Sequence, residues 1–278
     1  MRNRRTVGGR IGLAISSTLV ILFVMAPIYW MLATSLKTTA GVAASPPQWF
    51  PIPVSVVNYV TAFTQYNFGQ YILNSVIVAV VSTALVLALG TFAGYALARL
   101  PMRGRFTIMV LLLIISVFPA IALIAPLYLL MRNLGWLNSY QALIVPYTAL
   151  NLPFAIWILR NYFIGVPREM EETARIDGAG PFRTVWQVVL PMTLPGLFTA
   201  GIFAFTACWT EFLMALSFNS ADAFRTIPVG IALFGNAHIT PYGTIFAASA
   251  VAVVPIAILV LIFRKSVVSG LTSGAVKG

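Results

Sequence analysis

The chain has 278 residues, 60% of them hydrophobic and only 8% charged, whereas a soluble domain carries about a quarter charged residues; an ordinary soluble enzyme is excluded. The formal net charge of +11 is spread between apolar segments rather than gathered on one polar face, so it speaks to topology and not to nucleic-acid binding. A single cysteine, Cys208, rules out an intramolecular disulfide and a multi-cysteine metal site, and within an apolar run it reads as a buried thiol.

The basic start, 1–10, precedes a stretch without charge from Ile11 to Leu36. That stretch exceeds the roughly 7–15 residue apolar core of a cleaved signal, so it predicts an uncleaved first transmembrane helix over 11–36. The next segment, 37–71, contains Pro46, Pro47, Trp49, Pro51 and Pro53, whose fixed φ and missing donors suit extended or turn structure and an ordered external cap. Trp49 and Tyr59 fit either an interfacial aromatic belt or a partner contact.

Crossing the hydrocarbon core takes about 20 apolar residues, because the backbone must satisfy its own hydrogen bonds there. Five further segments qualify: 72–98, 106–131, 142–159, 197–218 and 242–263. The fourth span is the shortest and holds Pro146 and Pro153, which predict a kink. The reading is an all-α membrane protein, with one transmembrane domain over 11–264, a polar loop at 160–196 and a tail at 265–278.

Lys and Arg on alternate sides of these spans are strongly unequal. One side receives Arg2, Arg4, Arg5, Arg10, Arg99, Arg103, Arg105, Arg160, Arg168, Arg175, Arg183, Arg264, Lys265 and Lys277, 14 of the 17 basic residues. The other receives Lys37, Arg132 and Arg225. Both termini are therefore expected in the cytoplasm, and the loop at 160–196 with them.

That loop holds four of the six acidic residues, Glu169, Glu171, Glu172 and Asp177. Pro167 suits a first helical turn, the glutamates suit a positive helix N-terminus and Gly178 offers a stop, so a short helix over 168–177 is predicted. After Gly178-Ala179-Gly180, Pro181 starts a second helix. There Phe182, Val185, Trp186 and Val189 recur at i, i+3, i+4 and i+7 as one apolar face, ending at Leu190-Pro191. Taken alone, the pattern also describes an amphipathic re-entry loop.

The run Glu172-Thr173-Ala174-Arg175-Ile176-Asp177-Gly178, nine residues, then Val188-Val189-Leu190-Pro191 resembles the Glu-Ala-Ala motif of ABC importer permeases. Thr173 stands for the second motif residue and Val188 for an isoleucine. Asn74-Ser75, the run from Gly94 to Arg99, Trp209-Thr210-Glu211-Phe212 and the tail from Gly270 look like the maltose and trehalose class of sugar permeases. Thr210 departs from the asparagine of that pattern.

This resemblance, which covers essentially the whole chain, implies a type I ABC importer permease of six transmembrane helices in a bacterial or archaeal cytoplasmic membrane. It implies that Glu172, Thr173, Ala174, Arg175, Asp177 and Gly178, with Leu190 and Pro191, form a coupling helix and its support, docked on an ATPase subunit. Gly178 would give the turn, and Glu172 and Asp177 caps or polar contacts. The implied partners are a second permease subunit, two ATPase subunits, an external solute-binding protein or lipoprotein, membrane lipid and a di- or oligosaccharide such as trehalose or maltose, with no nucleic acid.

A phosphate loop needs a lysine directly after a glycine, and the three lysines follow Leu36, Arg264 and Val276. The chain is thus expected to bind no cofactor and to be no enzyme, with ATP and Mg used by a partner. His238 stands alone and reads as a surface or capping residue. Glu211, a carboxylate inside a span, either lines the sugar pathway or holds a neighbouring helix. Asn74, Asn151 and Trp209 are pathway candidates because sugars are held by hydrogen bonds and stacked aromatics, although asparagine also bonds helix to helix. A permease for a glycerophosphodiester or amino acid would carry much the same loop. An ion-coupled secondary transporter would need no ATPase, and an intramembrane enzyme would need clustered acids, histidines or a metal set.

Overall fold

The computed structural model describes residues 7–235 and 240–272, with side chains described over 11–235 and 240–263. Arg2, Arg4, Arg5, His238 and Lys277 lie outside the described residues. Among those residues the chain is helical, without strands, and it falls into two compact units, Met1–Phe68 with Ile231–Val253 and Gly69–Gly230 with Val254–Gly278.

The first unit opens with α1 (Val7–Ser35), apolar on every side and exposed from Ile11 to Tyr29, as befits a helix facing lipid or another chain, with Ala33, Thr34 and Ser35 buried at its end. The short turn α2 (Thr39–Val42) follows, capped by the Thr38 hydroxyl, and then α3 (Val57–Gln65). Asn58 donates to the carbonyls of Ser35 and Lys37 and ties α3 to the end of α1. Trp49 packs edge-on against Trp30, and its carbonyl accepts the Tyr29 hydroxyl, so Trp49 holds its own unit together. Lys37 is buried with its ammonium 4.1 Å from the Trp30 ring centre, and burial lowers its pKa.

The second unit is built on α4 (Phe68–Arg99), which continues through the whole predicted second span. The third predicted span is two helices, α5 (Arg105–Val117) and α6 (Ala120–Asn133), bent by 91°. The cause is local: Pro119 pushes Phe118 out of the helical region, to φ −63° and ψ 135°. The fourth span, in contrast, is longer than expected: α7 (Gln141–Gly165) runs unbroken through Pro146 and Pro153 and shortens the following loop.

That loop carries α8 (Arg168–Ile176) and α9 (Pro181–Thr184), which passes through a π-helical turn at Val185–Val189 into α10 (Leu190–Met192). Pro191 has no N–H for the Gln187 carbonyl, and just ahead of it the ladder widens, with the Leu190 N–H bonded to the Val185 carbonyl. The chain then turns by 80° into α11 (Leu194–Thr210). The fifth predicted span is interrupted: α11 stops at Thr210, Glu211 is extended, and α12 (Leu213–Phe218) restarts beyond it. After a 3-10 turn at Asp222–Phe224 come α13 (Ile227–Ala232) and α14 (Tyr242–Thr272), the latter shared between the units.

Among the described residues four helices are long and apolar enough to cross a membrane, and each bent pair counted as one span makes six. The core of the second unit joins α4, α7, the π-helical turn and α11 through Val86, Leu159, Phe163, Val189 and Ala200. Gly90 and Gly94 let α4 approach α7 closely: a Cβ on Gly94 would lie 3.2 Å from both the Arg160 nitrogen and the Leu159 Cβ.

Candidate functional site

Pro167 precedes the first turn of α8 in extended geometry, and Glu169 and Glu171 sit where the helix dipole favours anions. The helix ends in a Schellman pair. The Gly178 N–H bonds the Arg175 carbonyl at 3.1 Å and the Ala179 N–H bonds the Ala174 carbonyl at 2.9 Å. This requires a left-handed residue, and Gly178 has φ +83°. Asp177 is the C-cap, and Thr173 donates back to the Glu169 carbonyl.

Two faces result. Glu172, Thr173, Arg175, Ile176 and Asp177 are exposed, Ile176 by 85%. Ala174 and Glu171 are buried. Glu171 is the residue that the motif passes over. Its carboxylate meets the Arg99 Nε at 2.6 Å and accepts the Tyr95 hydroxyl at 2.9 Å. Arg99 also donates from Nη2 to the Val166 carbonyl at the C-cap of α7, at 2.5 Å. One guanidinium therefore fastens α4, α7 and α8 together. The available signal was Tyr95 and Arg99 one turn apart at the polar end of a span.

The predicted single apolar face of the second loop helix divides. Val185 and Val189 turn into the core, while Phe182 and Trp186 are 66% and 53% exposed. The π-helical turn shifts the register between them. Phe182 stacks on Phe92 of α4 with 6.3 Å between ring centres. Leu190 is buried and Pro191 exposed, and both line a groove of about 450 Å³ with Leu87, Phe92 and Trp186.

Of the four pathway candidates, Asn151, Trp209 and Glu211 lie along the contact of α7 with the end of α11, while Asn74 stands apart on α4. Asn74 is fully buried with both ends of its amide engaged: Oδ1 accepts from Gln70 and Tyr140, and Nδ2 donates to the carbonyls of Ala223 and Arg225. Beside it Tyr71 donates to Asp222 at 2.6 Å, and the Ser75 hydroxyl accepts the Ile227 N–H at 2.8 Å. Three side chains within little more than one turn of α4 thus hold the segment 222–227.

Glu211 caps α12, accepting the N–H groups of Met214 and Ala215 at 2.8 and 3.1 Å as well as the Tyr147 hydroxyl. Asn151, half-buried, donates to the Tyr147 carbonyl of its own helix and approaches Cys208. Trp209 is buried and stacked on Phe205 with 5.4 Å between centres.

Residues 86–273, which include the whole α8–α10 loop, match the family of binding-protein-dependent transport system inner membrane components. The chain belongs to that family. The permease is 44% identical, over 95% of its own length and 93% of the other, to the sulfoquinovosyl glycerol transport system permease protein of Agrobacterium fabrum. It is 37% identical over 99% of both chains to the trehalose/maltose transport system permease protein of Thermococcus litoralis. Among solved structures, the permease shares its fold with a chain of a bacterial ABC transporter that imports alginate. The TM-score is 0.80 at 21% identity, over 94% of this chain and 98% of that one. It is thus an ABC importer permease with several membrane spans.

Proposed function

We propose that this permease is one of two paired membrane subunits that move a glycoside, a di- or oligosaccharide such as trehalose or maltose, into the cytoplasm by alternating access. An external binding protein delivers the sugar, and two separate ATPase subunits use ATP and Mg to drive the switch. The single observation carrying this reading is near full-length identity of 37–44% with permeases named for glycoside transport. The similarity to a sulfoquinovosyl glycerol permease keeps a glycoside with a short polyol aglycone as the second reading.

The geometry of α8 supports its role as the coupling helix. It is held from behind by Ala174 and Glu171 and presents Glu172, Arg175 and Asp177 around the exposed Ile176, an apolar contact ringed by charge. The asymmetry of Lys and Arg supports placing this helix in the cytosol with both termini. Of the two asparagines among the pathway candidates, Asn74 is fully buried and Asn151 keeps an exposed portion, and Asn151 is the residue we assign to sugar contact.

The test is a binding screen of the cognate solute-binding protein against trehalose, maltose, sulfoquinovosyl glycerol and glycerophosphocholine, paired with uptake of the winning solute. Binding of a glycoside and its ATP-dependent uptake establish the reading; binding of the phosphodiester alone overturns it.

A further inference from the structure

Polar side chains clamp both ends of α4. At one end Tyr71, Asn74 and Ser75 hold the carboxylate, carbonyls and N–H of the segment 222–227, about 150 residues away in sequence. At the other, Tyr95 and Arg99 hold Glu171 on α8 and the Val166 carbonyl. Between them α4 is a continuous helix and contains no proline, a leading cause of sharp kinks. From Tyr71 to Arg99 a rise of 1.5 Å per residue gives roughly 42 Å, the thickness of a membrane with its headgroups.

Motion of α8 therefore has a second route into the membrane domain besides the chain itself. The covalent path runs through α7 and α11, but α11 is reached only across the π-helical turn and an 80° bend. The α4 path is direct and rigid at both ends. Gly90 and Gly94 seat α4 on α7, so these two helices move as one body.

We propose that α4 is a tie rod linking the segment 222–227 to the coupling helix, with Tyr71, Arg99 and Glu171 as positioning residues. Resting on the proposed function above, the segment carrying exposed Ser220, Ala221 and Asp222 lies outside the membrane, where a loaded binding protein presses on it. The rod conveys that load to α8 and sets the response of the ATPase. Conversely, α8 moving with its ATPase pulls on the same external segment.

The experiment uses the full transporter in proteoliposomes, with its binding protein loaded with whichever glycoside the screen identifies. ATP hydrolysis is measured with and without that protein for Tyr71→Phe, Glu171→Gln and the double variant. Each single change should lower the stimulation ratio about fivefold or more. The double variant should fall no further than the worse single, within about twofold, because one rod is cut twice; distant, unlinked sites would instead multiply their effects.

Multiplied effects, or a single variant whose ratio stays within about twofold of the parent, overturn the rod while leaving the transport function intact. A parent complex that its loaded binding protein does not stimulate overturns both. If Glu171→Gln fails to assemble, Tyr95→Phe removes one of the two grips on Glu171 and keeps the ion pair, and the same criteria apply.

Discussion

Gly178 shows how a motif residue acts through its backbone. A Cβ there would meet no atom within 4 Å, so the demand is conformational and not spatial. Gly178→Ala forces a left-handed conformation costing about 1–2 kcal/mol, enough to fray the last turn of α8 without unfolding the permease. Uptake measured at equal subunit levels should fall severalfold, with Gly178→Val lower still; unchanged uptake in both would remove the turn from the coupling path. Glu211 carries a different kind of demand. Three donors converge on its carboxylate, and glutamine offers only one acceptor oxygen. Glu211→Gln should therefore lower the complex's thermal stability, at about 1–3 kcal/mol for the stranded groups, while sugar affinity stays put. A changed affinity at unchanged stability would return Glu211 to the pathway.

Between helices, the contact of α4 with α7 depends on the absence of side chains. At Gly94 the opposing atoms include the backbone nitrogen of Arg160, which cannot rotate away. Gly94→Val should cost about 1–3 kcal/mol through overpacking and reduce assembly of the transporter. Gly12→Val, where a Cβ meets no atom within 4 Å, is the matched control, and both are read from melting of the purified complex. Equal melting would mean that α4 does not seat on α7 through this glycine. The breaks in the third and fifth predicted spans belong to the same scale. Hydropathy averaged over a window stays high across Phe118-Pro119 and across Glu211, because one extended residue barely changes the mean.

At the scale of the whole molecule, the 14-to-3 partition of basic residues predicts which way the chain is oriented. Fusions to alkaline phosphatase should be active when joined in the segment 43–56 and inactive when joined at 101–104 or 177–180; the reverse pattern would invert the topology and move α8 out of the cytosol. Composition, span count and charge asymmetry were legible in the sequence because each is a sum over many residues, and the loop was legible because its motif is contiguous. Facing was not. A helix apolar on all sides has no periodic signal to say which side meets protein, and so Glu171 rather than Glu172 as the inward acid, the clamps on Asn74 and Glu211, and the division of Phe182 from Val185 emerge only when distant segments are packed together. The sequence by itself determined the solvent this chain lives in and set out its spans and a cytosolic ATPase partner as expectations; the tertiary structure decided which polar groups are consumed within the fold, because a buried donor or acceptor must find its partner wherever the chain brings one.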